Sequence, residues 1–157
     1  MNTRMSPVLA RIRRIRTLSV AEWIILPRAF LAVLAARARL LLLPFARVRD
    51  WAGAPARNST YNHDPALLVA RVARAVAAAS ACVPGGRNCL VRAIAVQRML
   101  SRLGLTSELR IGASKSPTGQ LAAHAWVEYK GGIVIGGAFE SGRYAALFRS
   151  TEYDARH

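Results

Sequence analysis

Acidic residues are scarce in this chain. Eight Asp and Glu stand against 23 Lys and Arg, a formal charge of +15 over 157 residues. Lysine is nearly absent as well: Lys115 and Lys130 are the only two, so 21 of the cations are arginines. Such a surface attracts anionic partners, whether nucleic acid, anionic lipid or acidic peptide. An Ala- and Arg-rich composition also arises from coding bias alone. Cysteine is limited to Cys82 and Cys89. Two cysteines make no disulfide framework, and they fit a reducing compartment better than secretion. A long uncharged hydrophobic run is missing too. A spanning helix needs about 20 predominantly apolar residues. Here the apolar N-terminal stretch is broken by Glu22, Pro27 and Arg28 and again by Arg37 and Arg39. The same breaks argue against a signal peptide behind the basic run Arg11–Arg16. An interfacial helix stays open, because arginine stems can lie beside an apolar face. There is no internal repeat and no low-complexity tail.

What is present is a hydrophobic fraction of 53%, which calls for a globular domain with a core rather than disorder. The length suits one such domain. Residues 1–50 read as helical. Ser19 and Glu22 fit a capping box, Pro27 kinks that helix or opens a new one, and Pro44 ends the apolar run. Residues 51–62 hold Gly, Pro, Asn, Ser and Thr and read as a linker. Residues 63–157 then form the main domain. Asp64 and Pro65 suit the N-cap and first position of a helix that ends before Pro84-Gly85-Gly86. Asn88 caps the next helix and places Cys89 in its first turn. Cys89, Ala93, Val96, Leu100 and Leu103 share one face, Arg92, Arg98 and Arg102 lie on others, and Gly104 closes the helix.

Beyond Gly104 the period changes to two. Residues 108–111, 121–129 and 133–135 are strands, with Lys130-Gly131 as a hairpin turn, and residues 143–149 suggest one more. Helices followed by an antiparallel sheet make an α+β fold.

Two residues carry the chemistry. Cys89 at a helix N-terminus sits where the helix dipole favours a thiolate, and Arg87 and Arg92 act in the same direction. Its bland alternative is a small buried apolar residue. His124 interrupts an apolar strand, where a neutral imidazole needs hydrogen-bond partners. Alone it would be a satisfied core histidine. A nucleophile and a base from different elements, meeting in space, is the usual layout of a Cys–His pair. Cys82 reads as packing at a helix end. His63, Cys82, Cys89 and His124 lack the short paired spacings of structural zinc, so no metal or cofactor is expected. Trp23, Trp51 and Trp126 read as core or interface anchors, and Trp126 shares the His124 face. The stretch from Trp23 to Leu43 has more apolar residues than one helix face buries, which marks an interaction surface.

Arg87-Asn88-Cys89-Leu90-Val91-Arg92-Ala93, then Gly104-Leu105, Leu109-Arg110-Ile111-Gly112 and His124-Ala125-Trp126-Val127-Glu128 resemble the lasso-peptide B2 proteins. These are leader peptidases related to the C-terminal domain of the microcin J25 processing protein. The resemblance implies a transglutaminase-like fold, with Cys on a helix N-terminus and His on an antiparallel sheet. It implies a cytoplasmic cysteine peptidase that removes the leader from a ribosomally made lasso precursor. The implied partners are that precursor, a separate leader-recognition protein, since residues 1–62 are too short and too helical to be one, and an ATP-dependent cyclase. Association with a membrane surface is a further candidate. A basic binding module without catalysis is the rival reading, but no recognisable nucleic-acid motif supports it. An acyltransferase using the same pair is another. The family's third residue, an acid about a dozen positions beyond its His, falls here at Gly136 and Gly137. A two-residue turn sets 124 opposite 137, where no carboxylate stands. Glu128 shares the His124 face but lies about 13 Å along the strand. Glu140, a backbone carbonyl and the Gln120 amide remain candidates for orienting the imidazole.

Overall fold

The computed structural model describes residues 20–55, 64–115, 121–136 and 145–149. Four helices come first: α1 (Val20–Leu42), α2 (Phe45–Gly53), α3 (Pro65–Ser80) and α4 (Cys89–Arg102). Four strands follow: β1 (Glu108–Lys115), β2 (Leu121–Tyr129), β3 (Gly132–Ile135) and β4 (Ala145–Arg149). They form one antiparallel sheet in the order β3-β2-β1-β4. The α+β class therefore stands.

The local chemistry of the helices is largely as the sequence dictates. Asp64 accepts from the Ala66 amide at 2.9 Å with Pro65 in the first turn. Asn88 accepts from the Leu90 amide at 2.9 Å, which starts α4 at Cys89. At the other end the Leu105 amide reaches back to the Leu100 carbonyl and that of Gly104 to Ser101. This is a Schellman closure with Gly104 at positive φ. Pro27 falls inside α1 and starts no new helix. The Ser19 capping box lies outside the described residues.

Helix α4 is the centre of the molecule. Val91, Ala93, Ile94, Ala95, Val96, Gln97, Met99 and Leu100 are all buried, so the helix is enclosed on more than the single face that its periodicity suggests. It packs against α1, α2, α3 and the sheet. Ala29, Val33 and Ala36 of α1 and Val48 and Ala52 of α2 join the same core as Leu109, Ala125 and Val127 of the sheet. Burial of this apolar surface is the main term holding the layers together. Trp51–Gly53, assigned above to a linker, belong to α2 instead. The reason is packing: Ala52 is buried, and Arg98 of α4 donates to the Trp51 and Ala54 carbonyls at 2.9 Å each. Arg98 is thus a bridge between helices rather than a solvated side chain. Burial, with Arg102 and Arg39 nearby, holds its pKa below the usual guanidinium range.

No helix among the described residues is long and apolar enough to cross a membrane.

Candidate active site

Cys89 occupies the first position of α4. It is half-buried against the helical core, and both Cys82 and Cys89 are free thiols. Arg87 is exposed beside it, and Arg92, one turn on, is half-buried with no hydrogen-bond partner for its Nε among the described residues. Cys82 is exposed, with Sγ 3.9 Å from the Ala78 carbonyl. It does not pack in the core as its helix-end position suggests, because the chain leaves α3 at Ser80 and turns outward before it.

His124 lies on β2 opposite Gly112 of β1. Alternation along β2 puts His124, Trp126 and Glu128 on one face and Ala125 and Val127 on the other. Ala125 and Val127 enter the helical core. On the His124 face a polar row runs along the sheet. The His124 and Trp126 rings stack with centroids 6.2 Å apart and planes inclined by 20°. Trp126 donates from Nε1 to Glu128 at 2.9 Å, and Arg110 pairs with Glu128 at 2.8 Å and with Glu108 at 3.2 Å. Glu108 and Glu128 face each other across the ladder, so Arg110 neutralises a like-charge pair. Glu128 is held in this row, away from the imidazole.

The His124 ring is hydrogen-bonded through Nε2 to the Gly136 carbonyl. A carbonyl only accepts, so Nε2 carries a hydrogen in this bond. The hairpin explains how Gly136 arrives there. Lys130 and Gly131 both adopt positive φ, the two-residue turn that the sequence announces, and Tyr129 faces Gly132. A bulge then shifts the register: Glu128 faces Ile133, but Val127 faces Ile135. The simple hairpin arithmetic that set 124 opposite 137 fails at that bulge. Gly136 has φ +113°, and a Cβ there would stand 2.5 Å from that of Trp126. Only glycine fits. Gly136 meets His124 through its main-chain carbonyl. Positive φ beside a tightly packed tryptophan is invisible in the sequence, although a Gly-Gly pair ending a strand was the available hint.

The structure brings the two residues onto contacting elements, α4 and β2. No hydrogen bond joins them among the described residues. Glu140, Gln120 and His63 lie outside the described residues, as does the side chain of Trp23. Among the described residues no cluster of His, Cys, Asp or Glu could hold a metal ion.

The family model of the transglutaminase-like superfamily matches residues 30–149. The chain belongs to that superfamily. The match begins inside α1, so the N-terminal helices α1 and α2 fall largely within the family's domain. No curated protein and no solved structure matches the chain. Membership brings a superfamily that contains cysteine peptidases and acyltransferases.

Proposed function

We propose that the protein is a cysteine peptidase that removes the leader of a ribosomally made lasso-peptide precursor. It acts in the cytoplasm with a separate leader-recognition protein and a cyclase. The observations that support the reading are Cys89 at the first position of a capped central helix and His124, hydrogen-bonded to the Gly136 carbonyl, on a strand that packs against that helix. Superfamily membership supports the chemistry, and the motif run from Arg87 to Glu128 supports the substrate class.

In this mechanism Nδ1 of His124 takes the Cys89 thiol proton, and the sulfur attacks the scissile carbonyl. The tetrahedral oxyanion is met by first-turn amides of α4. The Leu90 amide is committed to Asn88 Oδ1 and the Arg92 amide to the Asn88 carbonyl, which directs this role to the amides of Cys89 and Val91. Collapse of the intermediate breaks the C–N bond, and the imidazolium protonates the leaving amine, the new N-terminus of the core peptide. Water then hydrolyses the thioester with His124 as base. The ring and the thiol must close to hydrogen-bond reach for the first step, a tightening that such pairs complete in the substrate complex.

The test is cleavage of precursor, with the leader-recognition partner present, by Cys89→Ser and His124→Ala proteins shown to be folded. Each loses nearly all activity, and the double variant is little worse than either single one. Wild-type rates in either would overturn the proposal. Superfamily membership equally accommodates acyl transfer to an amine; the product mass, hydrolysed or amine-capped leader, separates the two.

A further inference from the structure

A second site lies away from Cys89. Between α1, α2, α3 and α4 the described residues enclose a cleft of about 520 Å³. Its walls are apolar, from Ile25, Leu31, Leu68, Val72, Met99 and Leu103. Four arginines open onto it: Arg28 and Arg39 from α1, Arg98 and Arg102 from α4. With a rise of about 1.5 Å per helical residue, Arg98 and Arg102 stand roughly 14–20 Å along α4 from Cys89. The cleft is therefore no part of the candidate active site.

No carboxylate answers these guanidinium groups among the described side chains. Asp50 pairs with Arg49, Asp64 caps α3, and Glu108 and Glu128 share Arg110. Arg39 and Arg98 instead lie over the Trp51 ring, at 4.2 and 5.2 Å from its centroid. The Nε of Arg98 has no acceptor among the described residues, and its charge is disfavoured by burial, Arg102 and Arg39. Like charges gathered round an apolar cleft repel one another. An anion placed there removes that repulsion, and guanidinium forks suit carboxylates in particular.

Shape and charge narrow the occupant. From Ile25 to Arg39 the cleft follows α1 for about 21 Å, and its wall residue Leu31 is 64% exposed. That length exceeds a small anion and matches a stretch of polypeptide. A second copy carries +15 and the chain's own first residues hold Arg4, Arg11, Arg13, Arg14 and Arg16, so both are repelled. The geometry points to a docking site for an acidic, apolar-flanked segment of another protein: carboxylates on the four arginines, and one or two large apolar side chains in the cleft. This holds whether or not Cys89 is a nucleophile.

The test uses a fluorescein-labelled 12-residue peptide that alternates Glu pairs with Leu and Phe, titrated with the full chain and read by anisotropy. Exposed Arg28 and Arg102 are reversed together, R28E/R102E, and compared with R47E/K130E, a reversal of two exposed cations outside the cleft, both proteins being checked for native circular dichroism. Binding to R28E/R102E falls at least tenfold, while R47E/K130E changes it less than threefold. The same peptide with Gln for Glu, or with Ser for Leu and Phe, binds at least tenfold more weakly. Equal losses in the two charge-reversed proteins would reduce the effect to net charge and overturn the site. So would undiminished binding of either control peptide. Binding of the wild type to phosphatidylglycerol vesicles, lost in R28E/R102E, with no binding of the peptide, would overturn it in favour of a membrane surface.

Discussion

At the scale of single residues, the bond between His124 and the Gly136 carbonyl is the most consequential feature. The Gly136 carbonyl accepts from His124 Nε2, and it can do so because residue 136 has no Cβ to strike Trp126. Gly136→Ala forces either the strand end or the tryptophan to move. A non-glycine residue at such a φ costs roughly 1–3 kcal/mol, so the variant folds less stably but still folds. Its cleavage rate falls at least tenfold, because the imidazole loses its fixed orientation; a folded variant with wild-type rate would remove the carbonyl from the mechanism. Asn88 gives a cleaner measure of local energetics. It caps α4 through a single bond to the Leu90 amide, and loss of such a cap costs about 1 kcal/mol. Urea denaturation of Asn88→Ala should show a loss of that size with unchanged m, and no measurable loss would mean that water replaces the cap fully. Cys89, Asn88 and His124 were all legible as a set, since each is a polar residue where helix capping or an apolar strand makes it conspicuous. A backbone carbonyl was among the candidates to meet His124, but that it is the one of Gly136 was not legible, because a backbone acceptor leaves no side-chain signature.

Elements repeat that division. Helices α3 and α4 and strand β2 have the bounds that caps, periodicity and turn residues indicate, since each signal is local: Asp64-Pro65, Asn88 and Lys130-Gly131 act on their immediate neighbours. What local signals miss is set by distant partners. The bulge opposite Val127 and Glu128 moves the hairpin register by one. Helix α2 runs through Trp51–Gly53 although its last residue is a glycine and Pro55 lies just beyond, because α4 holds its end. That hold is one side chain: Arg98 satisfies the Trp51 and Ala54 carbonyls from 47 and 44 residues away. Arg98→Met keeps the stem and deletes both bonds. Hydrogen bonds from charged donors contribute about 1.5–3 kcal/mol, here reduced by the relief of repulsion from Arg39 and Arg102. The expected net loss is roughly 1–2 kcal/mol, together with a change in Trp51 fluorescence as the α2 end loosens. An unchanged midpoint and spectrum would show that α2 docks through Val48 and Ala52 alone.

The whole molecule turns on whether α1 and α2 are an appendage or part of the domain. Composition alone separates them, with a polar stretch between the apolar N-terminal run and the rest. The structure joins them: Ala29, Val33, Ala36, Val48 and Ala52 are 0% exposed and belong to the core built around Ile94, Val96 and Leu100. The family match, starting at residue 30, crosses the same supposed boundary. At the same time α1 leaves Leu31, Leu41 and Leu42 more than 60% exposed, so one helix supplies core residues and would supply any contact surface as well. These two duties make opposite predictions for truncation. An interaction arm can be removed with loss of partner binding only. A core helix cannot, since its removal uncovers α3 and α4, which pack directly against it. Deleting residues 1–50 should therefore leave a chain without a cooperative thermal transition, one that binds a hydrophobic dye and aggregates. Replacing exposed Leu41 and Leu42 by Ser should leave Tm within a few degrees, as surface changes do, and affect association alone. A truncated chain that melts cooperatively near the full-length Tm would show that the domain proper begins after α2.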